Sequence, residues 1–227
     1  MWAISTHEFK NLFKSIKAIV IVVFLTGMSL LVASLAENFA NQFGDINTEG
    51  HYTAGLSATI IFFGMLFVFI LSHDTISSEA QNRTMRFLVN KTSRRSIVMG
   101  KALGITLFWL TSVLISLVIV SLVAKQFFFE TFLQCSVFLF YGACTALLIS
   151  SLSKKGSESL FFGIIVSILL PAISFATVFI DTVWIQWVKY LTPYYYMDLS
   201  IAYLPIVCLL SIIILTVSIK IFERRDL

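Results

Sequence analysis

Six long apolar stretches, at about 18–36, 54–72, 102–124, 127–151, 159–180 and 205–222, decide what this chain can fold into. A run of about 20 apolar residues, wound as a helix, crosses the roughly 30 Å of bilayer hydrocarbon. Lipid offers no partner for backbone N–H and C=O groups, so only helices and closed barrels can span it. Barrel strands alternate apolar and polar residues, whereas these stretches are continuously apolar. The fold expected is therefore an all-α membrane protein with six transmembrane helices. Composition agrees: 58% of the 227 residues are hydrophobic and 12% charged, against about 45–50% and about 25% in soluble domains. A single water-soluble core of this size could not hide so much apolar surface. No connecting segment exceeds about 30 residues, too short for a separate soluble catalytic domain.

The charges assign the sides. Fourteen of the sixteen Lys and Arg fall before the first span, between the second and third, between the fourth and fifth, or at the end of the sixth and beyond; only Lys125 and Lys189 lie on the other side. The positive-inside rule then places both termini in the cytoplasm. It also accounts for the pI near 9.0 without any nucleic-acid partner, and the net charge is only +4. A basic start, an apolar run and Ser34-Leu35-Ala36 resemble a cleavable signal. The length of that run, the patterned leader before it and five further spans argue for a retained first helix.

Residues 1–17 read as an amphipathic interfacial helix. Trp2, Phe9, Leu12, Phe13 and Ile16 share one face, and His7, Lys10, Asn11, Lys14 and Lys17 the other. Such a helix suits the headgroup plane, lysines toward anionic lipid. It serves equally as an anchor or as a docking surface for a partner. The segment 73–101 has no Pro and only Gly100, and it contains good helix formers. A short helix over Thr75–Leu88 is expected, then a second one capped by Thr92 or Ser93 and running into the third span. The plainer alternative is a solvated basic loop that only fixes topology.

Several chemistries are missing from the sequence. Gly100-Lys101 lacks the first glycine, the hydroxyl residue and the strand of a phosphate-binding loop. Metalloprotease and serine-hydrolase motifs are absent, and so is any pair of intramembrane carboxylates. His7, His51 and His73 have no partner at metal-ligand spacing, and Cys135, Cys144 and Cys208 read as small buried hydrophobes.

The run Ile76-Ser77-Ser78-Glu79-Ala80-Gln81-Asn82-Arg83-Thr84-Met85-Arg86-Phe87-Leu88, then Thr92-Ser93-Arg94-Arg95 and Gly100-Lys101, resembles the loop after the second span of ABC-2 type transporter permeases. Arg83 stands where that family has Gly, and Lys91 or Thr92 near where it has Pro. The exit from the fourth span at Leu147–Lys155 and the stretch Trp187-Val188-Lys189-Tyr190-Leu191-Thr192-Pro193-Tyr194-Tyr195 also resemble family segments. Small bacterial peptide-exporter permeases, such as phenol-soluble modulin exporters, look similar in size and loop economy.

The resemblance implies an elbow helix over 1–17 and a six-span transmembrane domain over 18–227, with a cytoplasmic coupling helix in the 73–101 loop. It implies two copies of a cytoplasmic ABC ATPase, which would use ATP and Mg, a second permease subunit as dimer partner, and no cofactor on this chain. Contact with the ATPase is expected through Glu79, Arg83, Thr84, Phe87 and Leu88, and partner contact by the elbow through His7, Lys10 and Lys14. The setting implied is a bacterial plasma membrane.

The spans themselves carry few fixed charges, which disfavours an ion-coupled pathway and suits a hydrophobic or amphipathic cargo. Peptides are the favoured cargo; a lipid or lipid-linked glycan flippase and a non-transporting sensor or structural subunit are the alternatives. Phe62, Phe63 and Phe67 in the second span either line that path or face lipid. Glu130 and Gln134 either line an opening or reach headgroups. Between the fifth and sixth spans, Asp181–Leu204 is polar yet rich in Trp and Tyr, which favour the interface; one or two short outer interfacial helices are expected there. Pro171 should kink the fifth span, Pro205 suits the first turn of the sixth, and 37–51 reads as a solvated connection.

Overall fold

A computed structural model describes residues 1–43, 48–81, 92–179, 187–197, 199 and 201–224. Among these the regular structure is helix, with no strand. In chain order the helices are α1 (Trp2–Lys14), α2 (Ile16–Phe43), α3 (Thr48–Thr59), α4 (Met65–Ser72), α5 (Ser77–Gln81), α6 (Arg94–Ala124), α7 (Phe129–Leu152), α8 (Gly156–Phe179), α9 (Pro193–Met197) and α10 (Leu204–Arg224). A π-helical turn, Ile60–Gly64, joins α3 to α4, and a 3₁₀ turn, Ile201–Tyr203, precedes α10.

Five stretches of the described residues are long and apolar enough to cross a membrane: Thr53–Glu79, Arg94–Ala124, Phe129–Leu152, Gly156–Thr177 and Ile201–Arg224. A sixth is counted when α1 and the start of α2, bent by 71° at Ser15, are taken together. The bend has a local cause, because Ser15 leaves the helical region for φ −72°, ψ 127°. The all-helical membrane fold read from the apolar runs is thus present, with boundaries shifted. The third span starts at Arg94 instead of 102, where Ser93 in extended backbone accepts a hydrogen bond from Ser96 N at 3.3 Å. Its 31 residues rise about 46 Å and end at Lys125, whose φ of 56° is the left-handed cap that stops a helix.

Helix α7 is the hub, packed by α4, α6, α8 and α10. The run Gly142-Ala143-Cys144-Thr145-Ala146 keeps its surface flat, so neighbours come close: a Cβ on Gly142 would sit 3.0 Å from Met65 Sδ. Cys135 and Cys144 are buried there as small apolar groups. At the periphery, α8 and α10 present Ile168, Leu169, Leu209 and Ile212 outward, as a lipid-facing surface must. Several hydroxyls inside the spans are satisfied within their own helices, as Ser112 Oγ donates to Phe108 O at 2.8 Å and Ser29 Oγ to Leu25 O at 2.6 Å.

Two expectations need correction. The stretch 37–51 is helical up to Phe43 and again from Thr48; Glu37–Phe43 contains no Pro or Gly to stop the helix. The apolar face of α1 is not left to lipid: Phe9 and Phe13 pack at 4.9 Å, and Phe13 meets Phe108 of α6 edge-on at 4.9 Å. Only the ends of that face, Trp2 and Ile16, stay exposed. Helix α8 continues as helix through Pro171.

Candidate functional site

The basic end of the bundle begins with two glycines. On α6, Gly100 and Gly104 lie one turn apart and face α1; a Cβ on Gly104 would come 2.8 Å from Ser5 O and 2.7 Å from Glu8 Cβ. Their missing side chains let the α1 backbone lie directly on α6, the small-x-x-x-small contact of membrane helices. Between them sits Lys101. Its ammonium is 1% exposed and pairs with Glu8 of α1 at 2.5 Å and Glu79 of α5 at 2.8 Å. A buried ammonium is expensive unless paired and hydrogen-bonded. Here two carboxylates from two other elements supply the pairing, so one side chain ties the N-terminal helix and the post-span helix to the third span.

Neighbouring contacts fix α5 from the other side. Ser150 Oγ at the end of α7 accepts from Ile76 N at 3.0 Å and Ser77 N at 3.1 Å, which satisfies donors that a helix start leaves open. Ser159 Oγ of α8 donates to His73 O at 2.5 Å. The ring of His73 turns back on its own helix, Nδ1 donating toward Phe69 O and Ile70 O at 3.2 and 3.1 Å. Arg94 donates to Phe222 O and Glu223 O at 3.3 and 2.7 Å, capping the last carbonyls of α10, and Arg95 pairs with Glu223 at 2.5 Å. A polar cleft of about 310 Å³, reached by Glu8, Asn11, Lys17, His73 and Asp74, opens beside the lysine.

At the aromatic end, residues 187–197 fold back over α7 and α8. Tyr141 Oη donates to Leu191 O at 3.0 Å, Ser174 Oγ to Thr192 Oγ1 at 2.9 Å, and Tyr196 Oη to Tyr190 O at 3.0 Å. Tyr194 stands edge-on to Phe138 at 5.1 Å. The expected short interfacial helices appear here as α9 and the 3₁₀ turn before α10.

Among the residues expected to contact an ATPase, Glu79 lies on α5 and is engaged with Lys101, while Arg83, Thr84, Phe87 and Leu88 lie outside the described residues. His7, Lys10 and Lys14 are exposed on α1, with His7 Nδ1 and Asn11 Nδ2 3.2 Å apart. The three phenylalanines separate. Phe62 is 58% exposed and stacks on Phe175 of α8 at 6.2 Å; Phe63 and Phe67 stack on each other at 5.9 Å and turn toward Phe24 of α2 at 6.0 and 5.6 Å. The π turn beneath them is a device often found at functional sites. Lys101 was missed as a site residue, since in sequence it is one more basic residue near a span. The signal was its place inside Gly100-x-x-x-Gly104.

The sequence matches the family described as ABC-2 family transporter protein over residues 2–227. No curated protein matches the chain. The match spans essentially the whole length, and the chain belongs to that family. It is accordingly a multi-pass permease subunit of an ABC transporter, a pathway component rather than a catalytic one, of a kind that works with an ATPase subunit.

Proposed function

We propose that this chain forms half of an export pathway in a bacterial plasma membrane, paired with a second permease subunit and driven by two copies of a cytoplasmic ATPase that uses ATP and Mg. Both termini then face the cytoplasm, in keeping with the crowding of Lys and Arg at one end of the bundle. The observation that carries the reading is the joint at Lys101. A motor moves a membrane subunit only through an element that is stiff and contacted differently in its two states. Helices α1 and α5 are fastened to the third span by two ion pairs to one buried lysine, so force applied to either reaches that span. The segment after Glu79, with Arg83, Thr84, Phe87 and Leu88, is the proposed seat for the ATPase, and exposed His7, Lys10 and Lys14 are a second contact. Sparse charge within the spans and an aromatic far end support an amphipathic peptide as cargo.

Exchange of both Phe87 and Leu88 for Glu tests the seat. A purified complex should lose its ATPase while the helix content measured by circular dichroism stays unchanged. Retention of the ATPase by that variant means that the wrong loop was chosen, and failure of any ATPase to co-purify with the wild-type chain in mild detergent removes the proposal altogether.

A further inference from the structure

The polar cleft beside Lys101 leads into an apolar groove. Helix α2 packs along α3 but scarcely touches α4, so the first two spans part toward the basic end. Both sides of the gap are lined at helical spacing. On α2, Lys17, Val20 and Phe24 share one face; on the second span, Ile70, Phe67 and Phe63 do. Phe24 closes the gap edge-on against Phe63 and Phe67, at 6.0 and 5.6 Å. From Lys17 to that stop is about 10 Å of helix, and Val20 and Phe24 remain exposed along it. Where the gap meets the cleft, two opposite charges stand apart. Lys17 and Asp74 are exposed and line the same cleft, and among the described residues neither has an ion-pair partner. The carboxylates of Glu8 and Glu79, already engaged with Lys101, stand on the same lining and add to the negative potential around Asp74.

A mouth carrying both signs of charge over an apolar track has the makeup of a site for a zwitterionic lipid, and the cleft, at about 310 Å³, has the size of a small-ligand site. The charges choose the headgroup. An anionic head would meet the carboxylates of Glu8, Asp74 and Glu79 with only the Lys17 ammonium unspent on this lining. A quaternary ammonium has no N–H to give, whereas a primary ammonium donates charge-assisted bonds to a carboxylate. A basic segment of a protein would satisfy Asp74 but leave Lys17 and the track below it without a role. We propose that one phosphatidylethanolamine molecule seats here, its phosphate on Lys17, its ammonium on Asp74 and the first part of one acyl chain between Val20 and Phe67. The lipid is a resident of the elbow, joining the α1–α2 bend to the end of the second span on the side away from Lys101. The proposal goes beyond the pathway reading and stands whatever the cargo.

The test titrates the full chain in mild detergent with dioleoyl phosphatidylethanolamine, phosphatidylcholine or phosphatidylglycerol and counts bound lipid by native mass spectrometry. One phosphatidylethanolamine per chain should bind about tenfold more tightly than either other lipid, the worth of one hydrogen bond to a charged group. Asp74→Asn should bring it down to the level of phosphatidylcholine, and Lys17→Gln should weaken phosphatidylethanolamine and phosphatidylcholine alike, since both carry the phosphate. Lys155→Gln, which removes an exposed lysine outside the cleft, should change nothing. A second measurement leaves the charges in place: Asn11→Cys puts a thiol on the cleft lining, and phosphatidylethanolamine, but not phosphatidylcholine, should slow its reaction with a water-soluble maleimide. Equal binding of the three lipids, or full preference retained by Asp74→Asn, overturns the proposal. So does tighter binding of phosphatidylglycerol, or a loss with Lys155→Gln as large as with Lys17→Gln, each of which reduces the effect to the general positive charge of this end. Protection of the Asn11→Cys thiol by an added ATPase and not by phosphatidylethanolamine also overturns it and gives the cleft to a protein.

Discussion

At one end of the bundle α1 and α5 are held by a buried ammonium between two carboxylates; at the other, residues 187–197 are held by hydroxyl-to-carbonyl bonds and ring edges. The difference lies in how each fastening fails. Removing the cation at the first end leaves two half-buried carboxylates without their shared partner, so α1 and α5 lose their fastening together. Removing one hydroxyl at the second leaves its neighbours intact, and the cost stays local. The first end is suited to carrying force as a unit and the second to yielding in small steps.

Three changes put this contrast at risk, in falling order of size. Lys101→Met should cost about 3 kcal/mol, the low end of the range for breaking a buried pair because Glu8 and Glu79 keep some contact with solvent, read as a large drop in the thermal midpoint in detergent. Adding Glu8→Gln and Glu79→Gln to it should restore part of that drop; no restoration would mean that the lysine acts by packing instead of charge. Gly104→Val should cost about 1–3 kcal/mol by overpacking, since Ser5 O, a backbone atom, stands 2.8 Å from the position of the new Cβ and cannot step aside. Its signature is faster proteolysis at the α1–α2 bend. Tyr141→Phe should cost only about 1 kcal/mol, seen as faster hydrogen exchange confined to 187–197. If that loss instead spread to α1 and α5, the two ends would not be separate fastenings.

How much of this was legible in the sequence depends on which force decides each feature. The spans were readable because hydrocarbon thickness imposes a length and apolar transfer imposes a composition, both carried by single residues. The Ser93 cap was readable as well, because its chemistry is local. The docking of α1 was not. A stripe such as Phe9, Leu12 and Phe13 fits lipid and a neighbouring helix equally, and what selects the helix is a pair of glycines about 90 positions away. Lys101 was hidden for a related reason, since topology already explained a lysine near a span and its burial depends on Glu8 and Glu79 arriving from elsewhere. The split of Phe62 from Phe63 and Phe67 agrees with helical spacing, Phe63 and Phe67 being four residues apart, but which side faces α2 and which α8 depends on packing that an all-apolar segment does not announce.

That wide turn at Ile60–Gly64 amounts to one surplus residue stored in the second span. An ordinary helix advances about 100° per residue, so the halves above and below it are out of phase by about that angle, and each can choose its own neighbours. Deleting a residue within 60–64 would rewind the span to a single phase and swing the α3 half relative to α4. Phe62 and Phe63 would then change compass bearing with no change in their chemistry.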